Sequence, residues 1–121
     1  MNHIFAYDNG KGAFYSERLN KTDKNAFSGD YKHSNKQEFM NLKNHGPIPV
    51  GNYTISKIYD LFGVLEPEED TEIFGREEMM IHTSNIVDHN SFGCIIISKN
   101  IMESLQVGDS VLVTSEMYNI L

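Results

Sequence analysis

Gly46-Pro47-Ile48-Pro49-Val50-Gly51-Asn52-Tyr53-Thr54-Ile55-Ser56-Lys57-Ile58-Tyr59 decides how this chain is read. Two prolines fix φ and a glycine on either side gives the backbone freedom, so residues 46–51 form a rigid turn. The turn feeds a run rich in β-branched and aromatic residues, in which Tyr53, Ile55 and Lys57 fall at alternate positions and share one face. Turn and strand together point to a β-rich fold.

The flanking sequence agrees. Residues 4–7 and 13–18 surround Asn9-Gly10-Lys11-Gly12, and Asn-Gly between apolar runs is a strong hairpin signal. Asn25-Ala26-Phe27-Ser28-Gly29 reads as a third short strand, and residues 30–45 as a polar loop in which 37–42 manage one helical turn. Beyond the quoted stretch, residues 79–82 form a short strand, and the β-branched run at 93–98 a buried one. Residues 99–105 form a brief helix with Ser98 or Asn100 near its N-terminus. Val107-Gly108-Asp109-Ser110 then turns into a last strand over 111–114. No repeat, low-complexity tract or interior linker divides the chain. The expectation is a single domain over residues 1–121, mainly β, with one or two short helices and long loops.

With 121 residues the chain can build a core without disulfides or metal. Its net charge is −7, with acidic residues concentrated in Glu66-Pro67-Glu68-Glu69-Asp70-Thr71-Glu72. Nucleic acid and anionic membrane surfaces both need a cationic face, so neither is an expected partner. The acidic run reads first as a solvated loop and second as a contact surface for a basic partner. No run approaches the ~20 apolar residues of a membrane span. The start, Met1-Asn2-His3-Ile4-Phe5, has neither the basic nor the apolar region of a secretory signal. The chain is therefore expected to be made in the cytoplasm without a Sec signal, and either to stay there, to leave by another route, or to be a trimmed form.

The chemistry lies between His82 and Cys94. The one cysteine stands in Ser91-Phe92-Gly93-Cys94-Ile95-Ile96-Ile97-Ser98, after a segment containing Ile81-His82-Thr83. A thiol attacks carbonyls as the thiolate, and a neighbouring imidazole can take its proton and later return it to a leaving amine. His82 ends one expected strand and Cys94 opens another, so adjacent strands would bring base and nucleophile together. Gly93 leaves room for amides near Cys94 to hold an oxyanion, and Ser91 can hydrogen-bond the turn or a substrate. Asp88 could orient His82, although its polar surroundings suit a loop residue better. His89 is a rival base of the same kind, and Phe92 reads as a packing residue. On composition alone, a cysteine beside three isoleucines is more often a small buried apolar residue than a nucleophile. His82, Asp88, His89 and Cys94 offer donors that zinc accepts. No CxxC, HxxxH or HExxH pair anchors them, so no metal or cofactor is expected.

These residues resemble those of a known family, the L,D-transpeptidases of the YkuD type. Their signature is a histidine on one strand followed by Ser/Thr-x-Gly-Cys at the start of the next, as in His82 and Ser91-Phe92-Gly93-Cys94. The turn and strand at Gly46 to Ile55 are similar to the family's TPxGxYxI segment. The resemblance is closest to the compact L,D-transpeptidase-like toxins delivered by type VI secretion, which combine AFSG (here Ala26 to Gly29), GPIPxGxYxI and H…SxGCI. It implies a compact YkuD-like β-sandwich or barrel, with Cys94 as nucleophile, His82 as general base and Ser91 and Gly93 in support. It further implies peptidoglycan stem peptides as substrate, action in the periplasm of a target cell, and an immunity protein as partner. Phe92 stands where many members have a second histidine, and Ile95-Ile96-Ile97 where they often carry Arg or Asn. The alternative is a non-enzymatic wall-binding or secretion-associated module that keeps the fold.

Overall fold

Apolar residues at every second position set the strands, and their inward faces set the core. The computed structural model describes residues 2–8, 11–29, 35–42, 46–60, 62–77, 79–83 and 94–115. Strands β1 (Asn2–Asp8), β2 (Lys11–Ser16), β3 (Lys21–Asp23) and β4 (Phe27–Ser28) precede a 3₁₀ turn at Gln37–Phe39. Then come β5 (Gly51–Ile58), β6 (Phe62–Pro67), β7 (Met80–Thr83), β8 (Ile95–Ile97), helix α1 (Lys99–Ser104) and β9 (Ser110–Thr114). All nine described strands join one sheet in the order β3-β2-β1-β9-β5-β6-β7-β8-β4. The sheet is mainly antiparallel, with β1–β9 and β7–β8 parallel. It curls into a half-barrel, far enough for β4 at one edge to approach β2 near the other.

The concave side is filled by alternate residues of successive strands: Phe5 and Tyr7, Tyr53 and Ile55, Leu65, Ile81, Ile95 and Ile97, Val111 and Val113. Helix α1 adds Ile101 and Met102, followed by Leu105. Fully burying one such side chain stabilises the fold by roughly 1.5–3 kcal/mol. None of the helices among the described residues is long and apolar enough to cross a membrane.

The mainly β expectation holds, and so do the hairpin, the short helix and the last strand. Three details differ. Lys57 does not share the buried face of Tyr53 and Ile55, because a bulge between Ile55 and Lys57 shifts the register against β6 and leaves Lys57 exposed. Strand β3 was not anticipated. Nor was β6, whose last residues, Glu66 and Pro67, belong to a strand and not to the acidic loop.

Beside the strands, a polar cluster closes the molecule. The Asp109 carboxylate accepts from Arg18 Nη1 at 2.7 Å and Nη2 at 2.9 Å, from His3 Nε2 at 3.0 Å and from the Gln106 amide at 2.9 Å. Burial alone would raise its pKa, but these donors outweigh burial and hold the carboxyl well below the usual range.

Candidate active site around Cys94

Strands β7 and β8 lie side by side and parallel, with Ile81 opposite Ile95, His82 opposite Ile96 and Thr83 opposite Ile97. Ile81, Ile95 and Ile97 belong to the core, so alternation turns His82 and Ile96 to the other face. Cys94 immediately precedes β8, two residues before the partner of His82, and is 5% exposed. Its thiol is in no disulfide. The half-buried His82 ring has Nδ1 at 3.0 Å from the Thr83 carbonyl. A carbonyl only accepts, so Nδ1 carries a proton and donates it, which leaves Nε2 as the basic nitrogen of the neutral ring. Ser91, Gly93 and Asp88 lie outside the described residues, as do Phe92 and His89. Among the described residues, no three of His, Cys, Asp and Glu gather as metal ligands would.

The three sequence motifs meet physically. Ser28, within Ala26 to Gly29, pairs with Ile95, the residue after Cys94. Its Oγ accepts the Ile48 amide of the proline turn at 2.8 Å. The Ser28 amide donates to Asn35 Oδ1 at 2.9 Å, and the Asn35 amide returns a bond to the Ser28 carbonyl at 2.8 Å. A segment far from Cys94 in sequence is thereby fixed against both the turn and the strand that follows Cys94.

The proline turn is held from inside by side chains. Its prolines have no N–H and residues 46–50 join no ladder, so their buried carbonyls need donors from elsewhere. Four successive carbonyls find them. Arg76 donates Nη2 to Gly46 at 3.0 Å and Nη1 to Pro47 at 2.7 Å; Tyr7 donates to Ile48 at 3.3 Å, and Tyr53 to Pro49 at 2.8 Å. Arg76 Nη1 also donates to the Met40 carbonyl at 2.7 Å, tying the end of the 3₁₀ turn to the same point. The two glycines answer different demands. A Cβ on Gly46 would come 1.6 Å from the Phe39 carbonyl oxygen, so that position needs space. Gly51 has φ +147°, which a side chain rarely tolerates.

Arg76 is the residue that sequence reasoning passed over. It is 2% exposed, and burial draws its pKa below the ordinary guanidinium value, while the negative forms of Tyr53, Cys94 and Tyr7 counteract that fall. The Cys94 sulfur is thus within electrostatic reach of a buried cation. In sequence, Arg76 stands between Glu72 and Glu77. The available signal was Phe74-Gly75 just before it. Both residues have positive φ, 56° and 71°, and the Arg76 amide bonds back to the Ile73 carbonyl at 3.0 Å. This tight turn, with the φ signature of type I′, sends Phe74 outward and Arg76 inward.

Next to this scaffold lies a cavity of about 540 Å³ lined by Tyr7, Gln37, Glu38, Met40, Asn41, Phe74 and Ser115. Its size suits a small peptide or sugar ligand. Tyr7 and Met40 belong both to the cavity wall and to the hydrogen-bonded frame around Arg76.

Comparison with known proteins agrees with the motifs. A family model described as the Tlde1 domain matches residues 22–119. This is the type VI secretion, L,D-transpeptidase-like effector family that the motifs resemble. No curated protein and no solved structure matches the chain. The match takes in β4, the proline turn, His82 and Cys94, and the chain belongs to the Tlde1 domain family.

Proposed function

We propose that this protein is a cysteine-dependent peptidoglycan-modifying enzyme, an L,D-carboxypeptidase or exchange enzyme acting on stem peptides as an antibacterial type VI secretion effector. The observation that supports the reading is the parallel pairing of β7 with β8, with His82 on β7 and Cys94 immediately before β8. Membership of the Tlde1 domain family supports it. In this reading His82 Nε2 takes the Sγ proton, and the thiolate adds to the carbonyl of the third stem residue. Collapse of the tetrahedral adduct breaks the C–N bond to the terminal D-alanine, whose nitrogen takes the proton back from His82. The thioester left on Cys94 goes to water in hydrolysis, or to the amine of a D-amino acid in exchange, and either step restores the thiol. Ser91 and the amides about Gly93 support the oxyanion. The setting is the periplasm of a target cell, with an immunity protein as counterpart.

Mass spectrometry of tetrapeptide muropeptides incubated with the wild type and with Cys94→Ala tests the proposal. Loss of D-alanine, or its replacement by an added D-amino acid, is expected with the wild type alone. Unaltered muropeptides with folded wild-type protein would favour the non-enzymatic wall-binding module instead.

A further inference from the structure

Arg76 has three carbonyl acceptors and, among the described residues, no carboxylate in ion-pair contact. A guanidinium does not give up its proton in a protein, so its charge stays in the interior. Such a charge is costly unless something nearby can carry the opposite sign. Among the described residues, Tyr53, Cys94 and Tyr7 are the groups whose ionised forms act on it. Both phenols are buried, and burial pushes their ionisation well above the usual value. They therefore stay neutral, each donating its proton to a turn carbonyl. Among the described residues, the thiol is left as the group whose ionised form answers the arginine.

The geometry adds a second task. One guanidinium grips Met40, Gly46 and Pro47, while the amide of Ile48, the next residue, is held by Ser28 beside β8. We propose that Arg76 is a positioning residue for Cys94: it clamps the proline turn against the strand that follows Cys94, and it supplies the buried positive charge opposite which the thiolate forms. This rests on Cys94 being the nucleophile and deepens that reading, because it names what favours the thiolate besides His82. When the thiol ionises, its proton goes to His82 Nε2 or to water, and the sulfur keeps the electron pair in the field of Arg76.

The test needs no peptidoglycan, so it stands apart from the question of substrate. The full chain and its Arg76→Met and Arg76→Lys variants are alkylated with iodoacetamide across pH 5 to 10. The thiolate displaces iodide, and intact-protein mass spectrometry follows the adduct. Melting curves establish that each variant is folded. Arg76→Met is expected to move the midpoint of the rate profile upward, slowing alkylation at pH 7 about 10-fold or more, as loss of a close opposite charge does. Arg76→Lys keeps the charge but cannot fork to three carbonyls, so it should melt earlier while holding the wild-type midpoint. A folded Arg76→Met with the wild-type profile would overturn the proposal. If the Met variant does not fold, the Lys variant decides: a midpoint raised to the ~8.5 of an isolated thiol would equally overturn it.

Discussion

The chain contains two arginines, and the fold uses them in opposite ways. Arg18 meets Asp109 with both nitrogens and also holds the Ser104 carbonyl at 2.6 Å, so its charge is matched by a carboxylate that His3 and the Gln106 amide further secure. Arg76 is more deeply buried and is met by three carbonyls, whose dipoles share its charge without cancelling it. The first arrangement is electrically closed and links β1, the turn after β2, the end of α1 and the start of β9. Among the described residues the second meets no carboxylate, and the ionised form of the one cysteine acts on it electrostatically. A closed cluster contributes stability, whereas an open one biases the ionisation of whatever lies beside it. The difference separates the residues that hold this protein together from those proposed to make it react.

The comparison can be broken most decisively at the sulfur. Cys94→Ala should reduce muropeptide turnover on the order of 10⁴-fold, as loss of a nucleophile does in related acyl-transfer chemistry, in a protein that still melts cooperatively. Asp109→Ala should do the reverse. Leaving Arg18 and His3 without their carboxylate is expected to cost about 3 kcal/mol in denaturant unfolding, with the alkylation profile of Cys94 unmoved. A shifted profile in that variant would mean that the two clusters are coupled. Gly46→Ala drives a Cβ into the Phe39 carbonyl, and should cost about 2 kcal/mol while also disturbing the grip of Arg76 on the turn.

The closed cluster also sets an acid limit. The Asp109 carboxyl ionises below its ordinary value in the fold. Its contribution is therefore complete above the unfolded carboxylate value of about 4 and is lost as pH falls below that. Melting temperatures taken downward from neutrality should drop more steeply for the wild type than for Asp109→Asn, and parallel curves would refute the assignment. The smallest effect belongs to the acidic run. Glu68 accepts from Thr54 Oγ1 at 2.6 Å, but at an exposed site, so Glu68→Gln should change stability by less than about 0.5 kcal/mol.

What the sequence disclosed, and what it hid, follows from the range of each interaction. The hairpin was readable because Asn9-Gly10 is a local signal, and β1 and β2 pair from Asp8 and Lys11 outward. The strand containing His82 and the one that follows Cys94 were readable because their apolar, β-branched runs are local signals. Lys57 was misplaced because a bulge is a property of two strands and leaves no mark on one. Arg76 escaped notice for a similar reason: its partners are backbone carbonyls near residues 40 to 47, and a carbonyl looks the same whatever residue carries it. Even the proline turn was only half read. Its rigidity was plain from Pro47 and Pro49, but the need of its carbonyls for Arg76, Tyr7 and Tyr53 emerged only with the fold.

The central claim is that Cys94 carries the acyl group. The direct measurement is acid-quenched intact and peptide mass spectrometry of wild-type protein mixed briefly with a tetrapeptide muropeptide. A thioester adduct of the muropeptide less D-alanine, mapped to the peptide containing Cys94 and absent from Cys94→Ala, is the expected result. D-alanine released equally by the wild type and Cys94→Ala, with no adduct on that peptide, would contradict it.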